Sequence, residues 1–136
     1  MGRVLGLDVG DRRIGIAVSD ETRLIASPHS VYTRVGWGPD VRFLAKLYQD
    51  LACDLVVSGL PRNMDGSEGF QAQKVRQFME KLQEAGLPVA FQDERLSTVS
   101  AHEALIAGGM RREARKGTVD KVAAAVILQQ YLDKNR

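Results

Sequence analysis

Val4-Leu5-Gly6-Leu7-Asp8-Val9-Gly10-Asp11-Arg12-Arg13-Ile14-Gly15-Ile16-Ala17-Val18-Ser19 holds two strands and a turn, and the rest of the fold builds on this pair. Residues 4 to 8 are a short apolar run ending in Asp8, and Gly10-Asp11 supplies a hairpin-type turn signal. From Ile14 the chain alternates strictly. Ile14, Ile16 and Val18 fall on one face of a strand, and Gly15, Ala17 and Ser19 fall on the other. That second face is small enough for a helix to lie close against it.

A third extended segment covers Leu24 to Arg34, broken at Ser27-Pro28 as an edge strand tolerates. The period then changes. Val41, Leu44, Ala45, Tyr48, Leu51 and Ala52 recur at helical spacing after the start signal Gly38-Pro39-Asp40. Leu55-Val56-Val57 reads as a buried strand closed by Gly59-Leu60-Pro61, and a polar, glycine-rich loop runs from Arg62 to Gly69. Ala72, Val75, Phe78, Met79, Leu82 and Ala85 mark a second helix, stopped by Gly86 with Pro88 beyond it. Val89-Ala90-Phe91 is a fifth strand leading into Asp93-Glu94-Arg95. Helical segments over Thr98 to Ala107 and Thr118 to Leu132 complete the chain. The order β-β-β-α-β-α-β-α-α predicts an α/β fold with a five-stranded mixed sheet, three strands antiparallel and the later ones parallel. Helical crossovers place helices on both of its faces.

A chain of 136 residues is expected to form a single domain spanning 1–136, long enough to bury a core without disulfides or structural metal. Composition is ordinary globular, with 44% hydrophobic and 26% charged residues, which excludes disordered and fibrous classes. No apolar stretch approaches the roughly 20 residues of a membrane span, and Asp8 comes too early for a signal-peptide core. The lone Cys53 fits a reducing, cytoplasmic location. Net charge is only +2, but Arg111-Arg112-Glu113-Ala114-Arg115-Lys116 concentrates four cations in six residues. The run reads either as a solvated helix end or as a polyanion contact.

Three carboxylates fall where this architecture gathers strand ends. Asp8 interrupts a core strand between Val4, Leu5, Leu7 and Val9, a costly position unless the charge is paired, hydrogen-bonded or metal-bound. Glu94 follows the fifth strand, and reads as a solvated side chain or a ligand. Asp120 is expected in the first turn of the last helix, where it complements the macrodipole or coordinates a metal. Clustered carboxylates without nearby His or Cys suit Mg²⁺ or Mn²⁺ rather than zinc. His29 and His102 show no ligand spacing. No nucleophile elbow, Walker loop or Rossmann spacing occurs, and Cys53 reads as inert.

Leu5-Gly6-Leu7-Asp8-Val9-Gly10 with Arg13-Ile14-Gly15-Ile16-Ala17-Val18-Ser19-Asp20 resembles the opening signature of the YqgF-type family within the RNase H-like superfamily. The likeness continues through Gly59-Leu60-Pro61, Asn63 to Gly69, Asp93-Glu94-Arg95-Leu96-Ser97-Thr98 and Val119-Asp120-Lys121, covering essentially the whole chain. The resemblance implies an RNase H-like fold and a metal-dependent nuclease that processes the 5′ end of pre-16S rRNA or resolves Holliday junctions. It implies Asp8, Glu94 and Asp120 as catalytic and metal-holding residues for one or two Mg²⁺ or Mn²⁺ ions. RNase H-like nucleases commonly show a fourth carboxylate, for which Asp93 and Asp11 are candidates. Asn63 and Ser67 would face a phosphate, with Arg12, Arg13, Arg111, Arg112, Arg115 and Lys116 as further nucleic-acid contacts. Expected partners are pre-rRNA, branched DNA and the ribosome, with no membrane, for a monomer or weak homodimer. A catalytically weak binding module is the alternative. An actin-like nucleotide site is disfavoured, because one small lobe is too short to enclose ATP.

Overall fold

Strands β1 (Arg3–Val9) and β2 (Arg13–Ser19) form an antiparallel pair in which Asp8 stands opposite Gly15. The computed structural model describes residues 2–63, 65–93 and 112–135, and the side chains of 112–118 fall outside that description. β3 (Ala26–Thr33) adds antiparallel to β2 at the sheet edge. Its register slips between Ile16 and Ala17, where Ser30 and Pro28 are the respective partners, so the proline sits at an edge irregularity as expected. β4 (Cys53–Leu60) and β5 (Val89–Asp93) extend the other side in parallel, giving the order β3-β2-β1-β4-β5.

Alternation along β1 and β2 sorts the two faces. Leu5, Leu7, Val9, Ile14 and Ile16 pack with Leu44 of α1 (Trp37–Asp50) and with Val75, Phe78, Met79 and Leu82 of α2 (Phe70–Glu84). Val4, Ala17 and Val57 face Ala124, Ala125, Leu128 and Leu132 of α3 (Arg112–Lys134) on the opposite side. Helices therefore cover both faces.

The small face of β1 and β2 admits α3 at unusually short range. A Cβ added to Gly15 would stand 1.9 Å from the backbone oxygen of Asp120, and one added to Gly6 would stand 2.8 Å from Leu128 Cβ. Both glycines are therefore required by close approach.

Two helix starts differ from expectation. α3 is described from Arg112 and runs through Gly117, so Asp120 lies beyond the first turn and does not cap a helix end. One glycine costs a helix only about 1 kcal/mol, and the Arg, Glu, Ala and Lys residues before it are good helix formers. α1 begins at Trp37, ahead of the Gly38-Pro39-Asp40 signal. The buried Asp40 carboxylate accepts the N–H groups of Val35 and Gly36, the Tyr32 hydroxyl and Arg34 Nε, tying the incoming chain to the helix. The helix expected over 98–107 lies outside the described residues.

Candidate active site

Asp8 stands at the carboxyl end of β1, on the face that α3 covers. Its register partner Gly15 lies directly against the Asp120 backbone, so the crossing of α3 over the β1–β2 hairpin brings the two carboxylates together. Sequence spacing alone could not pair them, since they are joined only by the packing of a helix on glycine. Burial, and then the negative charge of Asp120, push the Asp8 carboxyl up to about 6. No hydrogen bond or ion pair relieves Asp8 among the described residues. Asp120 has a partner: Arg13 Nε donates to its Oδ2 at 2.6 Å.

A cavity of about 430 Å³ opens here, lined by Gly10, Asp11, Arg12, Arg13 and Asp120. A larger one of about 570 Å³ lies beside it and shares Asp11 as a wall. Both sit at the carboxyl edge of the parallel strands, where ligands of open α/β sheets bind.

The structure places the other sequence candidates as follows. Arg12 is exposed beside the smaller cavity, whereas the Arg13 guanidinium is directed to Asp120. Asn63 and Ser67 are bonded to one another within their loop, and the Asp65 carboxylate takes the Ser67 N–H at 2.9 Å and hydroxyl at 2.6 Å. The Ser67 donors read as facing a phosphate are thus taken by the loop's own acid, and the Asn63 amide by the Ser67 hydroxyl. Arg112, Arg115 and Lys116 fall in the two turns of α3 that precede Asp120. Glu94 and Arg111 lie outside the described residues. Asp11 pairs with Lys74 at 3.3 Å, and Asp93 ends β5 opposite Leu60. Burial pushes the Cys53 thiol up to about 11, consistent with an inert residue.

Sequence reasoning missed the role of Arg13 as the partner of Asp120. The signal was present, because Arg13 and Gly15 are two residues apart on one strand and so share the face that α3 covers.

Among the described residues no group of three or more metal-ligating side chains forms. The pair that does form fits a hard divalent cation. It offers oxygen donors only, and among the described residues no cation pairs with Asp8 to offset its repulsion with Asp120.

A five-stranded mixed sheet in the order β3-β2-β1-β4-β5 with helices on both faces is the RNase H-like fold shared with RuvC-type nucleases. Thermus thermophilus RuvC in complex with a Holliday junction substrate superimposes with a TM-score of 0.59 at 18% identity, over 99% of this chain and 96% of that one. The fowlpox virus resolvase in complex with Holliday junction DNA gives 0.57 at 12% identity, over 98% of each chain. At these identities the likeness establishes the fold. The chain itself belongs to the RuvX family, described as Holliday junction resolvase, whose sequence profile matches residues 2–134. Relatives in Paracoccus denitrificans and Clostridium novyi are 49% and 47% identical, over 99% and 96% of this chain and 86% and 98% of theirs. Both carry the name "Putative pre-16S rRNA nuclease".

Proposed function

We propose that this chain is a divalent-metal-dependent nuclease that hydrolyses phosphodiester bonds in structured nucleic acid, acting at the 5′ end of pre-16S rRNA in the cytoplasm. The observation that carries the proposal is the convergence of Asp8 and Asp120 where α3 crosses β1 and β2, with no described residue relieving the Asp8 charge. The names of the relatives support the substrate. Asp8 and Asp120 would hold Mg²⁺ or Mn²⁺, with Glu94 as the third acid. When bound, such an ion activates water and offsets the charge developing on the phosphate oxygens. Arg13 fixes the Asp120 carboxylate toward the cleft. Arg12, with the basic run of Arg111, Arg112, Arg115 and Lys116, would hold the backbone of the nucleic acid.

The family description favours a second substrate, the Holliday junction, whose symmetric cleavage requires a two-fold dimer. End-labelled pre-16S rRNA fragment and four-way DNA junction, each incubated with Mn²⁺ or EDTA, separate the two. Metal-dependent cutting of the RNA by a monomer is expected. Cutting of the junction alone would transfer the function to the second substrate. Binding without cutting of either would overturn the enzyme in favour of a binding module.

Arg13→Gln tests the positioning role. It is expected to raise the Mn²⁺ concentration giving half-maximal cleavage by about tenfold or more, as loss of a group orienting a metal ligand does. Thermal unfolding should show a loss of no more than about 1 kcal/mol, because a half-buried pair open to solvent on one side contributes little beyond that. An unchanged metal requirement would remove Arg13 from the site.

A further inference from the structure

The 570 Å³ cavity is not accounted for by the two acids. Its walls are the turn leading into α1 and the first turns of α2, both at the same carboxyl edge as Asp8. Three of its large apolar side chains face water: Val35, Trp37 and Phe70, with 77%, 46% and 74% of their surface exposed. Aromatic rings are commonly drawn into cores or interfaces, so two exposed rings in one concavity mark a contact surface.

Cations attend both rings. Lys74 Nζ lies 4.6 Å from the Phe70 ring centre and Arg34 Cζ lies 5.8 Å from that of Trp37. Arg34 is locked in place, since its Nε donates to Asp40 and its Nη1 donates to the Gly10 carbonyl. One side chain thereby fixes the aromatic groove to the turn that borders the carboxylate cavity. Among the described residues the one ion pair of Lys74 is with Asp11, an exposed pair at 3.3 Å that a phosphate could replace at small cost. Asp11 lines both cavities, so a strand leaving the carboxylates past Asp11 enters the groove directly.

Resting on the nuclease reading above, we infer that this groove is a subsite for an unpaired nucleic-acid strand continuous with the scissile segment. Bases would stack on Trp37 and Phe70, a phosphate would meet Lys74, and the amides of Gln73 and Gln77 would face base edges. Aromatic stacking demands an exposed base face, which a closed duplex does not present along its length. The substrate class is therefore a duplex with a single-stranded extension on the Asp11 side of the cleft.

Trp37 is the sole tryptophan, so its fluorescence reports the groove alone. In EDTA, where metal-dependent cutting is blocked, a twelve-nucleotide oligouridylate is expected to quench it, and a blunt RNA duplex of equal length is not. Phe70→Ala, a change at an exposed position, should weaken the oligouridylate about tenfold, the scale of one stacked base. Lys74→Ala should lower the salt dependence by about one phosphate contact. In cleavage assays wild type is expected to prefer an extended substrate over a blunt one, and Phe70→Ala should bring that ratio toward one. Equal quenching by duplex and single strand, or oligouridylate affinity unchanged by Phe70→Ala, would overturn the subsite even if cleavage persists. Selective quenching with no cleavage would leave the subsite standing and sink the nuclease.

Discussion

Asp8→Asn is expected to abolish metal-dependent cleavage and, at the same time, to stabilise the metal-free protein at pH 7.5. Removing one charged ligand of a catalytic cation forfeits several kcal/mol of charge stabilisation, so cleavage should fall by about 10³-fold or more. The stability effect follows from proton linkage. Asp8 has its pKa raised from 3.8 to about 6 in the folded chain, so the native state holds a proton that the unfolded state has released. Its favourable contribution is present below pH 4 and is lost as pH rises through 6. The full shift corresponds to about 3 kcal/mol, and solvent access to the site reduces this to roughly 1–2 kcal/mol. Asparagine keeps the shape without the charge. Denaturant unfolding in EDTA should therefore show the variant more stable at pH 7.5 and equal to wild type at pH 3.5. A variant less stable at both pH values would mean that Asp8 is a structural acid satisfied by neighbours.

Gly15→Ala is expected to have the largest structural effect of any single methyl group. The new Cβ would overlap the Asp120 carbonyl, a rigid backbone atom, at 1.9 Å. Relief requires α3 to withdraw from the sheet, which opens the core formed with Ala124, Ala125 and Leu128. Overpacking of this kind usually costs 1–3 kcal/mol, and a backbone clash belongs at or above the upper end, so a loss of about 3 kcal/mol and roughly 10 °C in Tm is expected. Cleavage should fail as well, because the withdrawal separates Asp120 from Asp8. Gly86→Ala is the contrasting case. Gly86 has φ +95 but nothing within 4 Å of an added Cβ, so only the backbone strain of about 1 kcal/mol applies. Similar melting temperatures for Gly15→Ala and wild type would show that α3 is not seated on β2 as described.

The hairpin carried most of what could be read in advance. Strict alternation from Ile14 to Ser19 marked a glycine- and alanine-lined face, and α3 lies on that face. A lone acid in the apolar run Val4 to Val9 singled out Asp8 as a candidate without any neighbour being known, because an unsatisfied charge in a strand is costly wherever it occurs. Tertiary partners could not be named in advance, even where a residue's face could be read. Arg13 and Asp120 are 107 positions apart, and only the seating of α3 joins them. Asp40 looked like a helix start signal because its tie to Arg34, Tyr32 and the preceding turn depends on the sheet edge it packs against. The aromatic groove escaped notice for a different reason. Helical periodicity marks the apolar residues that face the core, and Phe70 and Trp37 stand at the helix starts, partly in solvent.

Calorimetric titration of Mn²⁺ into wild type, Asp8→Asn and Asp120→Asn, without nucleic acid, is the most direct test of the paired carboxylates. Wild type is expected to bind the ion, and either substitution alone should remove most of the affinity. Equal Mn²⁺ binding by all three proteins would contradict the assignment of Asp8 and Asp120 as a shared cation site.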